Sequence, residues 1–314
     1  MVEWVYEAGI GETRAALVDT GAIVEAHIEP EECGARAGMV CEARLSEILP
    51  GKRVGRVILE DGTAALLEPI PTGTTEGATR LVEISRSAIP VPGKIKGPRA
   101  RPAAKGRTAR PAPTLHDRIA ASNYPVIMPS SPKNDLLEAA GWSELIEQAS
   151  TGAVPFPGGA LRISLTPAMT VIDVDGALPP AELAIAGARA SAEAIRRFDI
   201  GGATVIDLPS LSAKADRQAA AEAFDAALPL PFERTSVNGF GLLQIVRKRT
   251  RPSLLEYAQY DAVSMAARAL LRRAERVTGA GPLTLTVHPE IATQFATQPD
   301  WIARLERRIG TGVE

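Results

Sequence analysis

Hydrophobic and polar positions alternate with a period of two along the first ninety residues, which predicts short strands. VEWVYEA, RAALVD and TGAIVEAHIE are separated by turn residues and read as paired hairpins. Residues 38–90 continue in the same manner. MVCEARLSEIL, VGRVILE, AALLEPI and ATRLVEISRSA are split by Pro-Gly and Asp-Gly turns. This run of short strands predicts a small barrel of OB type.

After residue 115 the period lengthens. Leu136, Leu137, Ala140, Leu145 and Ile146 form a helical stripe interrupted at Gly141. From residue 153 the pattern is α/β. ALRISL reads as a strand, and AMTVIDVDG as a nearly all-apolar strand buried on both faces. Pro179 and Pro180 open a helix that runs to about Phe198 and stops at Gly201-Gly202. ATVIDLPSL is the next buried strand, and Ser212 is a candidate cap for the helix that follows. RTSVNGFGLLQIVRKR predicts a further strand, and 254–277 an amphipathic, Arg-rich helix. PLTLTVH reads as a strand, PEIATQF as a short helix and WIARLERRIG as the last one.

Composition narrows the class. The chain has 314 residues, 45% of them hydrophobic, and a formal charge of −2, which excludes a disordered polyelectrolyte and a disulfide miniprotein. Cys33 and Cys41 lack metal or redox spacing and read as free thiols. His27, His116 and His288 are too scattered for a zinc site of the histidine type. No apolar run approaches the length of a membrane span, and MVEWVYEAGIGE has neither the basic nor the apolar region of a signal peptide. A soluble, cytoplasmic protein without membrane contact is expected. Charge is uneven, however. KIKGPRARPAAKGRTAR, from Lys94 to Arg110, holds seven basic residues and no acid, and its Pro and Gly content excludes a helix. It reads as a flexible basic linker, either simply solvated or an arm that contacts phosphates.

Two segments resemble each other: TVIDVDG at 170–176 and TVIDLPS at 204–210. A helix between them makes a right-handed crossover, so the two strands should be parallel. Asp173 and Asp207 then share one C-terminal sheet edge, where open α/β sheets place their sites. Asp175, two residues on, points to the same face, so three carboxylates can converge. Converging carboxylates repel unless a cation such as Mg²⁺ compensates them. Strand-end Asp residues that merely cap helices are the other reading. Arg247, Lys248, Arg249 and Arg251 form a basic cluster after the last apolar strand, either a solvated strand end or a surface for a polyanion beside the carboxylates.

These motifs resemble those of the ribonuclease E/G family. GETRAALVD and GAIVEAHIE resemble its N-terminal motif; PFPGGALRISLTPAMTVIDVDG, GGATVIDLPSL and FGLLQIVRKRTRPSL resemble three collinear motifs of its catalytic part. LTVHPEIATQF and WIARLERRIG resemble its C-terminal small domain. The resemblance implies an α/β protein of several subdomains. An OB-type barrel (36–98) would be inserted after an N-terminal β segment (1–35) of an RNase H-like subdomain. The basic linker (99–113) and the helical remainder of that subdomain (114–152) would follow. A DNase I-like catalytic domain (153–255) and a small C-terminal domain (256–314) would complete the chain.

The resemblance also implies Mg²⁺-dependent endonucleolytic cleavage of single-stranded RNA by water, leaving a 5′-phosphate, in RNA processing or decay. Asp173 and Asp207 match the family's two metal-binding Asp residues, and Asp175 stands where the family has a supporting Asn. Lys96 matches an RNA-contacting Lys of the barrel, with Arg99 and Arg101 beside it. Arg217 matches a basic residue of the helix after Asp207, and the basic cluster at 247–251 lies within the last motif. There are departures. LEYAQYD stands where a zinc-binding CPxC link would follow RPSL, so neither zinc nor a zinc-linked tetramer is expected, while a homodimer remains open. The 5′-phosphate sensor insertion is missing, Gly239 replaces an Arg, and the barrel's stacking Phe positions carry aliphatic or basic residues. These departures keep a second reading open, a catalytically weak or inactive family member that binds RNA or a ribonucleoprotein.

Overall fold

The computed structural model describes residues 1–32, 34–51, 53–129, 134–277 and 281–314. Cys33 therefore lies outside the described residues, while Cys41 is a buried free thiol. In chain order the elements begin with strands β1 (Glu3–Ala8), β2 (Glu12–Asp19) and β3 (Ala22–Pro30). Strands β4 (Val40–Ile48), β5 (Gly55–Leu59), β6 (Ala64–Leu67), β7 (Thr79–Arg86), β8 (Ile89–Val91), β9 (Lys94–Lys96) and β10 (Arg99–Pro102) follow. Then come α1 (Leu115–Ala120), β11 (Val126–Ile127), α2 (Leu136–Ala139) and α3 (Trp142–Thr151). Strands β12 (Ala153–Phe156), β13 (Gly159–Leu165) and β14 (Thr170–Gly176) lead through α4 (Pro180–Arg197) to β15 (Gly202–Asp207). After α5 (Lys214–Ala227) come β16 (Glu233–Arg234) and β17 (Leu242–Arg247). The chain finishes with α6 (Leu254–Tyr260), α7 (Ala262–Ala274), α8 (Pro289–Thr297) and α9 (Pro299–Ile309).

These elements form two compact units. One comprises Met1–Glu32, Leu115–Thr151 and Tyr257–Glu314; the other comprises Cys33–Thr114 and Gly152–Glu256. In the first, a sheet of order β11-β1-β2-β3 packs Trp4, Ala15 and Leu17 against Leu115 and Ile119. Ile10 joins Leu271, Trp301 and Leu305 in a second cluster. At Gly11, with φ +77°, a Cβ would lie 2.6 Å from the Trp301 ring, so only glycine fits there. Beside these apolar clusters runs a buried ion network. Glu12 accepts from Arg268 Nε at 3.0 Å and from Arg272, and Arg14 pairs with Glu7 at 2.8 Å and Asp135 at 3.0 Å. Such charges persist in a core only because each has its partner.

In the second unit a closed barrel of order β10-β6-β5-β4-β7 is filled by Leu45, Val57, Leu59, Leu67, Val82 and Ile84. The alternation read from the sequence supplies those inward positions. The barrel extends beyond its expected end at residue 98, because Arg99–Pro102 is its closing strand. Ala100 points inward at 2% exposure while Arg99 and Arg101 face outward, a period-two signal hidden among the basic residues. The stretch expected to be a flexible linker also contains β9, paired with β8, and a bridge from Arg110 to Val40.

The other half of this unit is a six-stranded sheet of order β12-β13-β14-β15-β17-β16, with β14 and β15 parallel and adjacent as expected. Thr170, Ile172, Val174, Thr204 and Ile206 are buried on one face. Helix α4 packs onto β14 through small residues: a Cβ on Gly187 would lie 2.3 Å from Val174. The opposite face is only half-buried at Val171 and Val205, so β14 is not the doubly buried strand its apolar run predicts. Two further expectations change. The 254–277 helix is broken at Asp261 into α6 and α7. The 282–288 segment forms no strand; Leu283 makes only a bridge with Val313.

Candidate active site

The open face of the six-stranded sheet collects the polar residues. Asp173 and Asp207 are direct register partners on parallel β14 and β15, with their Cα atoms about 4.8 Å apart by strand spacing. Their buried neighbours Ile172 and Ile206 face the helices, so by the two-residue pleat both carboxylates face the open side. Asp207 is the last residue of β15 and is exposed; Asp173 is half-buried.

Asp175 behaves differently from the expected third member of a carboxylate cluster. Its exposed side chain points to Arg162 Nε, 3.8 Å away, and no group of three or more acidic, His or Cys side chains suited to a metal occurs among the described residues. The reason is register. Arg162 on β13 lies opposite Asp173, on the same face, where a guanidinium attracts the neighbouring carboxylates. The sequence reading passed over Arg162; its alternation with buried Leu161 and Ile163 was the available signal.

The loop after Asp207 is tied to the turn before β17. Leu208 N donates to Gly241 O at 3.2 Å, and Ser210 Oγ donates to Phe240 O at 3.4 Å. Gly241 has φ +91°, and a Cβ there would meet Leu208 O at 2.1 Å. Ser212 does not cap α5. The N-cap is Ala213 without a side-chain bond, and Arg217 instead donates to the carbonyls of Leu211 and Ser212 at 2.7 and 2.8 Å. Arg217 thus braces the loop that leaves the Asp207 edge.

The basic cluster of 247–251 is not beside the carboxylates. Arg247 is the register partner of Gly202, at the opposite end of β15 from Asp207. Five residues of strand separate the two ends by roughly 17 Å. Three of its four cations are also engaged in ion pairs. Arg247 and Arg251 reach Asp199 at 3.5 and 2.6 Å, and Arg249 binds Glu256. Asp199 adopts φ 52°, a left-handed conformation that Asp tolerates better than most residues. Lys248 is exposed.

The barrel adds a second group of cations at this far end. Ser87 N donates to Thr250 O at 2.8 Å, joining the end of β7 to the basic segment. Arg86 and Lys96 thereby come within electrostatic range of Arg249, and both are also within range of Arg99. Desolvation, then repulsion from Arg99 and Arg249, pushes the Arg86 guanidinium down to about 10. Lys96 is lowered by partial desolvation, then by Arg86, Arg249, Arg99 and Lys94. Arg86 donates to Gly97 O at 2.7 Å, while its buried Nε has no partner. Arg99 lies 3.9 Å from Glu68, and Arg101 is bound to Glu83 at 3.0 Å. Arg86 was not among the sequence candidates because its neighbours here are remote in sequence.

The sequence model of the ribonuclease E/G family matches residues 112–250, the span that contains Asp173, Asp207 and the turn at Phe240. Over that span the chain is similar to that family. No curated protein sequence matches it. The similarity agrees with the architecture of a barrel followed by an α/β region. No helix among the described residues is long and apolar enough to cross a membrane.

Proposed function

We infer that the protein is an Mg²⁺-dependent endoribonuclease that cleaves single-stranded RNA by water attack and leaves a 5′-phosphate. One observation carries the reading: Asp173 and Asp207 are side-by-side partners on the open face of parallel strands, inside the span that matches the ribonuclease family. Their oxygen donors suit Mg²⁺, which is usually held by one or two carboxylates and completes its shell with water. When bound, the ion supplies charge compensation at the phosphate and an acidified water.

The chain's own residues divide the remaining work. Arg162, opposite Asp173, is placed to hold a non-bridging phosphate oxygen. Arg217 fixes the loop after Asp207, so that Asp207 need not reorganise when substrate arrives. Arg86, Lys96, Arg99 and Lys248 attract the phosphate backbone at the far end of β15, which lies roughly 17 Å from Asp207 along the strand. The Asp199 and Glu256 carboxylates hold Arg247, Arg249 and Arg251 in place.

A catalytically weak RNA-binding member of the family is the second reading. It is favoured by the lack, among the described residues, of a third acidic ligand near the pair. Cleavage of labelled single-stranded RNA with Mg²⁺ or EDTA, beside Asp173→Asn, separates the two. Internal cutting that requires both Mg²⁺ and Asp173 is expected. A wild-type rate in Asp173→Asn would refute the metal assignment, and binding without cutting by the wild type would favour the second reading.

A further inference from the structure

Phe240 is an aromatic side chain left in solvent, 80% exposed, on a turn that is otherwise fixed. Asn238 Oδ1 accepts from the backbone N–H of Phe240 at 2.9 Å and of Leu242 at 3.0 Å. Asn238 N donates to Leu242 O, and Gly241 N to Asn238 O, both at 3.1 Å. The two bonds to Leu208 and Ser210 anchor the turn to the segment that follows Asp207. Leu242 is the register partner of Asp207, so Phe240 stands two residues beyond the carboxylate edge, roughly 7 Å of chain.

The rest of this unit offers no comparable surface. Residues 33–114, which include the whole barrel, contain no Phe, Tyr or Trp. In the 152–256 part, Phe198 and Phe224 are fully buried, and Phe156 and Phe232 are half-buried. A rigid, exposed aromatic ring next to paired carboxylates is suited to a planar apolar partner that arrives together with a phosphate. An unpaired nucleobase has those properties, and aromatic stacking accepts any base because every base has a π-face.

We propose that Phe240 is a base-stacking platform that holds one unpaired nucleobase of the RNA beside the scissile phosphate. The proposal rests on reading this edge as an RNA site. It makes Phe240 a substrate-positioning residue and assigns to this turn the stacking that the barrel cannot provide.

The test compares the wild type with Phe240→Leu and Phe240→Trp, on a single-stranded RNA of mapped cleavage site and on a series in which each flanking nucleotide is made abasic. Leu keeps apolar bulk but removes the ring, and at an exposed position it leaves the unfolding temperature unchanged. For the wild type, removing the base at one flanking position should lower kcat/KM roughly 5- to 100-fold. Phe240→Leu should lose a similar factor on intact RNA and be indifferent to that abasic position, and Phe240→Trp should restore both. An equal abasic effect in wild type and Phe240→Leu, or a wild-type rate in Phe240→Leu on intact RNA, overturns the proposal.

A binding assay keeps the two readings distinguishable. RNA carrying 2-aminopurine should be quenched by wild type and Phe240→Trp but not by Phe240→Leu. That pattern without cleavage supports the platform and removes the nuclease. Equal quenching by all three overturns the platform and leaves the nuclease standing. RNA that is neither cut nor bound overturns both.

Discussion

Replacing Arg86 by Met should weaken RNA binding without destabilising the free protein. Arg86 is half-buried, faces Arg99 and Arg249, and is held well below its ordinary value, at about 10. Taken in full, the fall from the ordinary guanidinium value to about 10 corresponds to about 3 kcal/mol. Solvent screening at a half-buried position reduces this to on the order of 1 kcal/mol. The folded state disfavours the charged form, so the penalty is fully present below about pH 10 and is relieved as pH rises from there towards the ordinary guanidinium value. An assay at neutral pH therefore reads all of it. Against this gain stands the bond to Gly97 O, an exposed carbonyl contact worth about 0.5 kcal/mol. Arg86→Met should accordingly be neutral or up to about 1 kcal/mol more stable, as measured by urea unfolding. Each phosphate contact to a single strand contributes about 0.7 to the salt slope, so the variant's log Kd against log salt should flatten by that amount. Clear destabilisation together with an unchanged slope would refute the view that this cation is held for a polyanion.

Two further predictions concern Arg162 and Glu12. Arg162→Ala should leave stability within about 0.5 kcal/mol, because its pair with Asp175 is long and exposed, yet lower kcat/KM on RNA about tenfold. A wild-type kcat/KM would remove Arg162 from the site. Glu12→Gln should cost about 3–5 kcal/mol of stability in the first unit, since it leaves the buried Arg268 and Arg272 without their shared carboxylate. Chemical unfolding checks this, and a loss under about 1 kcal/mol would mean that Asp261 and Glu32 suffice for Arg268.

Local patterns carried most of the fold, and long-range pairing carried what they missed. The βαβ crossover was legible because both strands repeat one motif around a single helix, which fixes a parallel pair and brings Asp173 beside Asp207. The closing strand of the barrel was missed because Pro, Gly and the seven arginines and lysines of 94–110 obscured a four-residue alternation around Ala100. PLTLTVH has strand propensity, yet only the last few residues of the chain, near Val313, pair with it. The basic cluster was recognised as residues but assigned to the wrong end of its sheet. Proximity in sequence to an apolar strand does not say which end of an antiparallel strand meets Asp207; the register of β15 against β17 does. Arg162 and Arg86 needed the same kind of knowledge, since each acquires its meaning from a partner on another strand.

That register separates attraction from chemistry. At one end of β15 are two carboxylates, which repel an RNA phosphate until a cation intervenes; at the other is a basic surface to which Arg86, Lys96 and Lys248 contribute. If the protein takes RNA as proposed, the strand would be drawn first to the basic end, at a rate that falls with salt. It would then reach the carboxylate end by lying along the sheet, since roughly 17 Å exceeds the Debye length at physiological ionic strength and the far cations no longer offset the repulsion there. Arg162 is the cation positioned to relieve that repulsion locally, and a stacked base on Phe240 would fix the strand at the moment the phosphate is opposite Asp173 and Asp207. On the proposed reading, the far basic surface would govern capture, while the choice of which phosphate is presented would rest on the few residues around the Asp207 edge.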